Sequence, residues 1–305
     1  MNLYRNQNQA ALACFSQKTT LVAIEAALLG AKLVDSIYGT PVEQLQTQYK
    51  ADAGMSPVTI ADWQSEAIIT RIIKQHFPTH QIHEEESGIH EGQENIWYVD
   101  PLDGTSSFIK GQRYSTVGIS VYTKDGHYVS AVIINPFERE LVVAEKDTGA
   151  YLFTIDATFT TIEQLRKITV SEKSSIRGSI AYIDASFNAK TVDAKIQFLR
   201  QLALLGIGED NKGKIGYRMT GSNIDQQRQV AAGRAEIGLT DAIGGPYDWR
   251  SGYVIVTEAG GVMLDVHTGA APTNASVAVI YGNKHLLPIV FPLAQKAYRS
   301  YGGFK

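Results

Sequence analysis

The sequence predicts a layered α+β and α/β fold, in which an antiparallel-rich first half joins an α/β second half within one globule. Three observations predict it. The opening stretches carry apolar residues at helical spacing, the middle breaks into short β-branched runs, and strand-like and helix-like segments alternate beyond about residue 160. We divide the chain into 1–160 and 161–305. Its 305 residues lie near the ~250–300 at which one core stops growing.

Each element has its own signal. Residues 9–38 read as one long helix, because Ala10, Ala11, Cys14, Leu21, Ile24, Ala27, Leu28 and Ala31 recur at three- and four-residue steps before Gly39, Thr40 and Pro41. A second helix spans Ala61 to His76, with Ala67, Ile68, Ile72 and Ile73 on its buried stripe. Strands are expected at Ile96–Asp100, Ser115–Tyr122, Val129–Asn135, Leu141–Glu145 and Ala150–Phe153. In the second half, Ser179–Ile183 and Ala235–Thr240 read as strands. Ala194–Leu205, Asn223–Ala232, Trp249–Ala259 and Asn283–Tyr298 read as helices.

Composition removes whole classes of function. Hydrophobic residues make up 44% and charged residues 19%, unlike a disordered or coiled-coil chain. Lys plus Arg is 28 against 31 for Asp plus Glu, a net charge of −3, so a generic nucleic-acid binder is not expected. Cys14 stands alone, which excludes an internal disulfide framework and fits a reducing compartment. The most apolar stretch, Leu21 to Val34, contains Glu25 and Lys32 and is shorter than the ~20 apolar residues a bilayer helix needs. The start lacks a signal-peptide layout. The expectation is a cytoplasmic protein without a membrane partner.

Chemistry concentrates in a few acidic motifs. Trp97-Tyr98-Val99-Asp100-Pro101-Leu102-Asp103-Gly104-Thr105 delivers two carboxylates at a strand end beside a glycine and a hydroxyl, a pattern that suits either a hard-metal site or an ordinary turn. Glu84-Glu85-Glu86 is a solvated acidic loop unless a cation neutralises it. Asp248 precedes an apolar helix and Asp62 lies in the first turn of another, where each also serves as a helix-start residue. His80, His83 and His90 raise zinc as a weak alternative.

Taken together these motifs, in order from Ser56 to Asp265, resemble the inositol monophosphatase superfamily. Asp100-Pro101-Leu102-Asp103-Gly104-Thr105 is similar to its Asp-Pro-(Ile/Leu)-Asp-Gly-Thr signature, Glu85-Glu86-Ser87 to its Glu-Glu-Ser, and Asp248 with Glu258-Ala259-Gly260-Gly261 to its C-terminal signature. The resemblance implies an α-β-α-β-α sandwich and a Mg²⁺-dependent phosphatase binding two or three ions. It implies that Glu85, Asp100, Asp103, Asp248 and the Leu102 carbonyl are metal ligands, and all are oxygen donors. It assigns Asp62, Thr105 and Glu85 to water activation, and Gly104, Thr105, Gly221, Ser222 and Asp241 to substrate binding. Two departures stand out: Glu84 replaces the common glycine, and Tyr247-Asp248 replaces Trp-Asp, with the tryptophan moved to Trp249.

The resemblance implies phosphate monoester hydrolysis by in-line attack of water, with inositol or sugar phosphates as substrates and a homodimer as the assembly. Ser56-Pro57-Val58-Thr59-Ile60-Ala61-Asp62 is also similar to 3′(2′),5′-bisphosphate nucleotidases and to some histidinol-phosphate phosphatases. A regulatory protein that keeps the fold is the alternative from another class. An aspartyl-phosphate mechanism is disfavoured, since Asp100 and Asp103 are three apart with a proline between. Gly208 to Lys214 has P-loop spacing but ends in Ile215, where Ser or Thr is required. Loops 184–190 and 206–216 carry no decodable specificity signature.

Overall fold

In a computed structural model, the structure describes residues 8, 10–50, 56–184, 191–242 and 244–299. Two sheets and three helical layers alternate. The first sheet has eight strands: β3 (Gln81–Glu84), β4 (Gly88–His90), β5 (Ile96–Asp103), β6 (Thr116–Tyr122), β7 (Tyr128–Asn135), β8 (Glu140–Glu145), β9 (Gly149–Ile155) and β10 (Ile162–Ile168), in the order β10-β9-β8-β7-β6-β5-β3-β4. All its pairings are antiparallel except β3 with β5. A small ribbon precedes it, β1 (Gln48–Tyr49) with β2 (Pro57–Val58). The second sheet has the order β12-β11-β13-β15-β14, from β11 (Ile180–Ile183), β12 (Gly216–Arg218), β13 (Ile237–Asp241), β14 (Val262–Asp265) and β15 (Ala278–Gly282).

Period-two alternation assigns the faces. Val117, Ile119 and Val121 of β6 join the core formed with α1 (Lys18–Ile37) and α2 (Ile60–His76). Tyr122 and, from β7, Ala131 and Ile133 point the other way, onto α5 (Asn223–Ala231) and α6 (Arg250–Glu258). Those helices also receive Val279 and Tyr281 from the second sheet. The opposite residues, Ala278 and Ile280, pack with Ile237 and Leu239 against α4 (Val192–Ile207) and α7 (Leu287–Arg299). The result is the expected α-β-α-β-α order.

Several elements differ from expectation. The long helix begins at Lys18, and residues 10–14 ahead of it form turns. Glu145 takes the backbone N–H groups of Ser16 and Gln17 at 3.0 and 3.1 Å and the Thr20 hydroxyl at 2.7 Å, so a remote carboxylate sets the helix start. β5 continues through Pro101 to Asp103 by a bulge: Asp100 pairs with Gly118 and Asp103 with Thr116, placing three residue steps against two. The first sheet reaches Ile168 through β10, a polar edge strand. Among the described residues no helix is long and apolar enough to cross a membrane. The 206–216 loop is a surface turn in which Arg177 pairs with Asp210 at 2.5 Å. Residues 185–190 of the other loop lie outside the described residues.

Candidate active site

The site grows from the β5 bulge. The Asp100 carboxylate accepts the Leu102 N–H at 3.1 Å, and the Pro101 carbonyl accepts the Ser65 hydroxyl of α2 at 3.0 Å. These bonds occupy the polar groups that the bulge removes from the ladder. Gly104 follows at φ 85° and caps the short helix α3 (Thr105–Ile109). A Cβ there would stand 3.0 Å from that of Ser222 and 3.1 Å from the Gly221 carbonyl, so only glycine allows the Asp103-to-Thr105 turn to meet the Gly221-Ser222 turn. Ser222 caps α5 and also donates to Asp103 at 2.5 Å, and the Ile224 N–H donates to the same oxygen at 2.7 Å.

Asp62 enters from α2 with two tasks. One oxygen accepts the Thr59 N–H at 2.7 Å and the Thr59 hydroxyl at 2.6 Å, completing a capping box. The other accepts the Thr105 hydroxyl at 2.8 Å; that hydroxyl also lies 3.0 Å from the Leu102 carbonyl. The helix-start role and the partnership with Thr105 therefore coexist. Asp248 arrives on the short turn Gly245–Asp248, accepts the Gly244 N–H at 2.7 Å, and is tied through its own carbonyl to Gln227 of α5, also at 2.7 Å.

Electrostatics show that the acids are neighbours. Burial raises the Asp100 carboxyl well above its usual range, and the charges of Glu85, Asp103 and Asp248 push it further. Burial raises Asp103 to about 7 against the opposing bonds from Ser222 and Ile224, with Glu85 adding repulsion. Asp248 is raised well above normal by burial, then by Asp103 and Glu85. Burial raises Asp62 to about 6, opposed by Thr59 and Thr105. These carboxylates, separated by up to 186 positions from Asp62 to Asp248, thus feel the charge of neighbouring acids.

The acidic loop beside them is not simply solvated. Lys50 bridges Glu85 at 2.8 Å and Glu86 at 2.7 Å, while Glu66 of α2 accepts the Glu86 N–H at 2.8 Å. Burial raises Glu86 to about 8, with repulsion from Glu85 adding to it and Lys50 opposing it. Glu84 is buried, with Thr70 and His90 on its two oxygens. Sequence reasoning missed Lys50, Glu66 and Ser65, whose spacing to the motifs carries no local signal.

The donor set suits a hard divalent cation: buried carboxylates that repel one another and would be relieved by positive charge. Among the described residues, no three His, Cys, Asp or Glu groups are already drawn around one point as a chelate. Their oxygens instead hold Lys50, Ser222, Ile224 and Gly244. The histidines give no zinc set. His80 accepts the Trp97 indole N–H at 2.8 Å and pairs with Glu94, His90 pairs with Glu84, and His83 packs against Tyr98. Asp241, expected to bind substrate, and the motif residue Glu258 have partners of their own. Asp241 is held by Lys195 and Tyr298, and Glu258 holds the β8–β9 turn through the Asp147 and Gly149 N–H groups at 3.1 and 2.9 Å.

The family match and its relatives place the chain in a class of phosphoric monoester hydrolases. The chain belongs to the inositol monophosphatase family, whose sequence model matches residues 16–298. An inositol-1-monophosphatase from Synechocystis is 34% identical over 258 residues, covering 81% of each chain. The Escherichia coli K12 protein named Nus factor SuhB is 30% identical over 273 residues, covering 87% of this chain and 91% of that one. The crystal structure of extragenic suppressor protein suhB from Bartonella henselae superposes with a TM-score of 0.79 at 26% identity, covering 92% of this chain and 99% of that one.

Proposed function

We propose that the protein is a magnesium-dependent phosphatase acting on inositol or sugar phosphates. The observation that carries this reading is the convergence of Glu85, Asp100, Asp103 and Asp248, of which Asp100 and Asp103 are buried and Asp248 half-buried, and whose last three members are raised by desolvation and further by neighbouring acids, beside the Asp62–Thr105 pair. Those four carboxylates and the Leu102 carbonyl would hold two or three Mg²⁺ ions. Bound magnesium lowers the pKa of water and stabilises charge on the leaving oxygen.

The chain's own groups supply the rest. Thr105, bonded to Asp62, would orient the attacking water, and the Asp62 and Glu85 carboxylates would accept its proton. Gly104 and Thr105 open α3 and would offer backbone N–H groups to phosphate oxygens. The Gly221-Ser222 turn, packed against Gly104, would close the other wall. The inositol-1-monophosphatase similarity supports the substrate class.

The relatives named Nus factor favour a second reading, a regulatory role on the same fold. Phosphate release from inositol 1-phosphate with Mg²⁺, abolished by EDTA and restored by excess Mg²⁺, tests the first reading. No release from inositol 1-phosphate, fructose 1,6-bisphosphate, adenosine 3′,5′-bisphosphate or histidinol phosphate would favour the second. A cytoplasmic homodimer is part of the proposal by family resemblance.

A further inference from the structure

Around Asp248 the chain departs from the family pattern, with Tyr247 before the aspartate and Trp249 after it. Arg250 comes next and opens α6. A cation at a helix start is opposed by the macrodipole, and no side chain caps this helix, so α6 itself gives no reason for Arg250. Its packing does. The guanidinium carbon stands over three rings, 4.2 Å from the centroid of Tyr98, 4.4 Å from that of Tyr122 and 4.9 Å from that of Trp249. All three distances are within the ~6 Å over which a ring face attracts a cation. The Tyr122 hydroxyl donates to the Arg250 carbonyl at 3.1 Å, and Arg250 Nη2 donates to Asn274 Oδ1 at 2.6 Å.

The contact has a definite place relative to the acids. Tyr98 lies on β5 two residues before Asp100, and alternate residues of a strand share a face. Arg250 lies two residues after Asp248. The grip of Arg250 on Tyr98 therefore runs beside the approach of Asp248 to Asp100, whose carboxyl feels the Asp248 charge. Tyr98 is itself fixed, with its ring centroid 4.8 Å from that of His83 and edge-on to Tyr122 at 5.7 Å. Two further ties hold the same turn. Gln227 of α5 donates to the Asp248 carbonyl at 2.7 Å, and the Tyr247 hydroxyl donates to the Glu84 carbonyl at 3.0 Å.

We infer that Arg250 is a positioning residue for the metal site: its guanidinium, stacked on Tyr98 and Tyr122, holds the Asp248 turn against β5 beside Asp100. The inference rests on the reading of these acids as magnesium ligands, and adds a residue that is not itself a ligand, since a guanidinium has no acceptor. Carboxylates that repel one another tend to separate. A clamp two residues from each opposes that separation without entering the site. Stacking suits arginine in particular, because its planar group packs on ring faces while an ammonium is more strongly hydrated.

Calorimetric titration of the full chain with Mg²⁺ tests it. Asp248→Asn first identifies the phase of the isotherm to which Asp248 contributes. Arg250→Met keeps an unbranched side chain but loses the planar charge. It should weaken that phase by about 10- to 100-fold, the usual effect of removing a group that orients a metal ligand. Arg250→Lys should recover only part of the loss. Combined with Tyr98→Leu, Arg250→Met should lose less affinity than the two single losses together, because both break one contact. Losses that simply add would overturn the inference. So would an Arg250→Met protein that is less stable in urea yet keeps wild-type Mg²⁺ affinity, the result a merely structural role predicts. Should Arg250→Met fail to fold, Tyr122→Phe keeps the ring and removes the bond to the Arg250 carbonyl. It should weaken the same phase severalfold, and unchanged affinity there would overturn the inference instead. If the wild type binds no Mg²⁺, or Asp248→Asn alters no phase, the metal reading fails and takes this inference with it. A phase that responds to Asp248→Asn but not to Arg250→Met overturns this inference alone.

Discussion

Two groups of buried and half-buried carboxylates are treated in opposite ways. In one, Asp184 and Asp241 share the buried ammonium of Lys195, and Asp241 also takes the Tyr298 hydroxyl. In the other, Asp100, Asp103 and Asp248 repel one another, while the nearby cation, Lys50, is held by Glu85 and Glu86. Compensated carboxylates are used for structure. Uncompensated ones cost stability, and a fold keeps such a cost where a ligand relieves it. Asp100→Asn tests that contrast most directly. Phosphate release should fall by more than about a hundredfold, while the metal-free melting temperature should not fall, since a repelling charge is removed. Mg²⁺ at about 100 times its Kd should stabilise the wild type by ~2.7 kcal/mol and the variant by clearly less. A variant with full Mg²⁺-dependent turnover would break the comparison.

The opposite outcome is expected in the compensated group. Lys195→Ala leaves two buried acids without their cation, and removing one partner of a buried pair costs about 3–5 kcal/mol. Urea denaturation should register that loss directly. A loss below ~1 kcal/mol would mean that the ammonium is not what holds the ends of β11 and β13 together.

The repelling acids and Asp62 also carry a pH signature. Asp103 is raised to about 7 and Asp62 to about 6 in the folded protein, so both bind protons more tightly folded than unfolded. Between the unfolded carboxyl range near ~3.9 and those folded values, the folded state holds more protons, and stability must fall as pH rises. Metal-free protein should therefore melt at a higher temperature at pH 5 than at pH 8, by a few degrees. Saturating Mg²⁺ should reverse the trend, because its ligands bind as carboxylates. Asp103→Asn should flatten the metal-free slope; an unchanged slope would locate the effect elsewhere.

Local features were legible in the sequence, and long-range ones were not. The Asp100-to-Thr105 stretch announces a strand end followed by a turn, because proline, glycine and two acids act within a few residues. The bulge that carries Pro101 and Leu102 was not legible, since it exists only relative to the register of β6. The same limit explains the long helix α1: Glu145, far along the chain, decides that it begins at Lys18. β10 escaped notice because an edge strand with Glu163, Arg166 and Lys167 lacks an apolar alternation. Lys195 falls within the predicted helix Ala194–Leu205 with no signal of its own, and only the pairing of β11 with β13 brings two acids to it.

The smallest effect concerns Asp62, which sits between the two regimes: buried like the site acids, yet partly satisfied like the compensated pair. Thr59 supplies two of its three hydrogen bonds and Thr105 the third. Thr59→Ala removes the hydroxyl bond and the side-chain cap but retains the backbone N–H. The expected cost is ~1 kcal/mol of stability, typical of a lost N-cap. With one fewer donor, the Asp62 carboxyl should rise above about 6, moving the acidic limb of the pH–rate profile upward while activity at pH 8 changes little. If stability falls but that limb stays fixed, Asp62 is a capping residue alone, and the proton-accepting role belongs to Glu85.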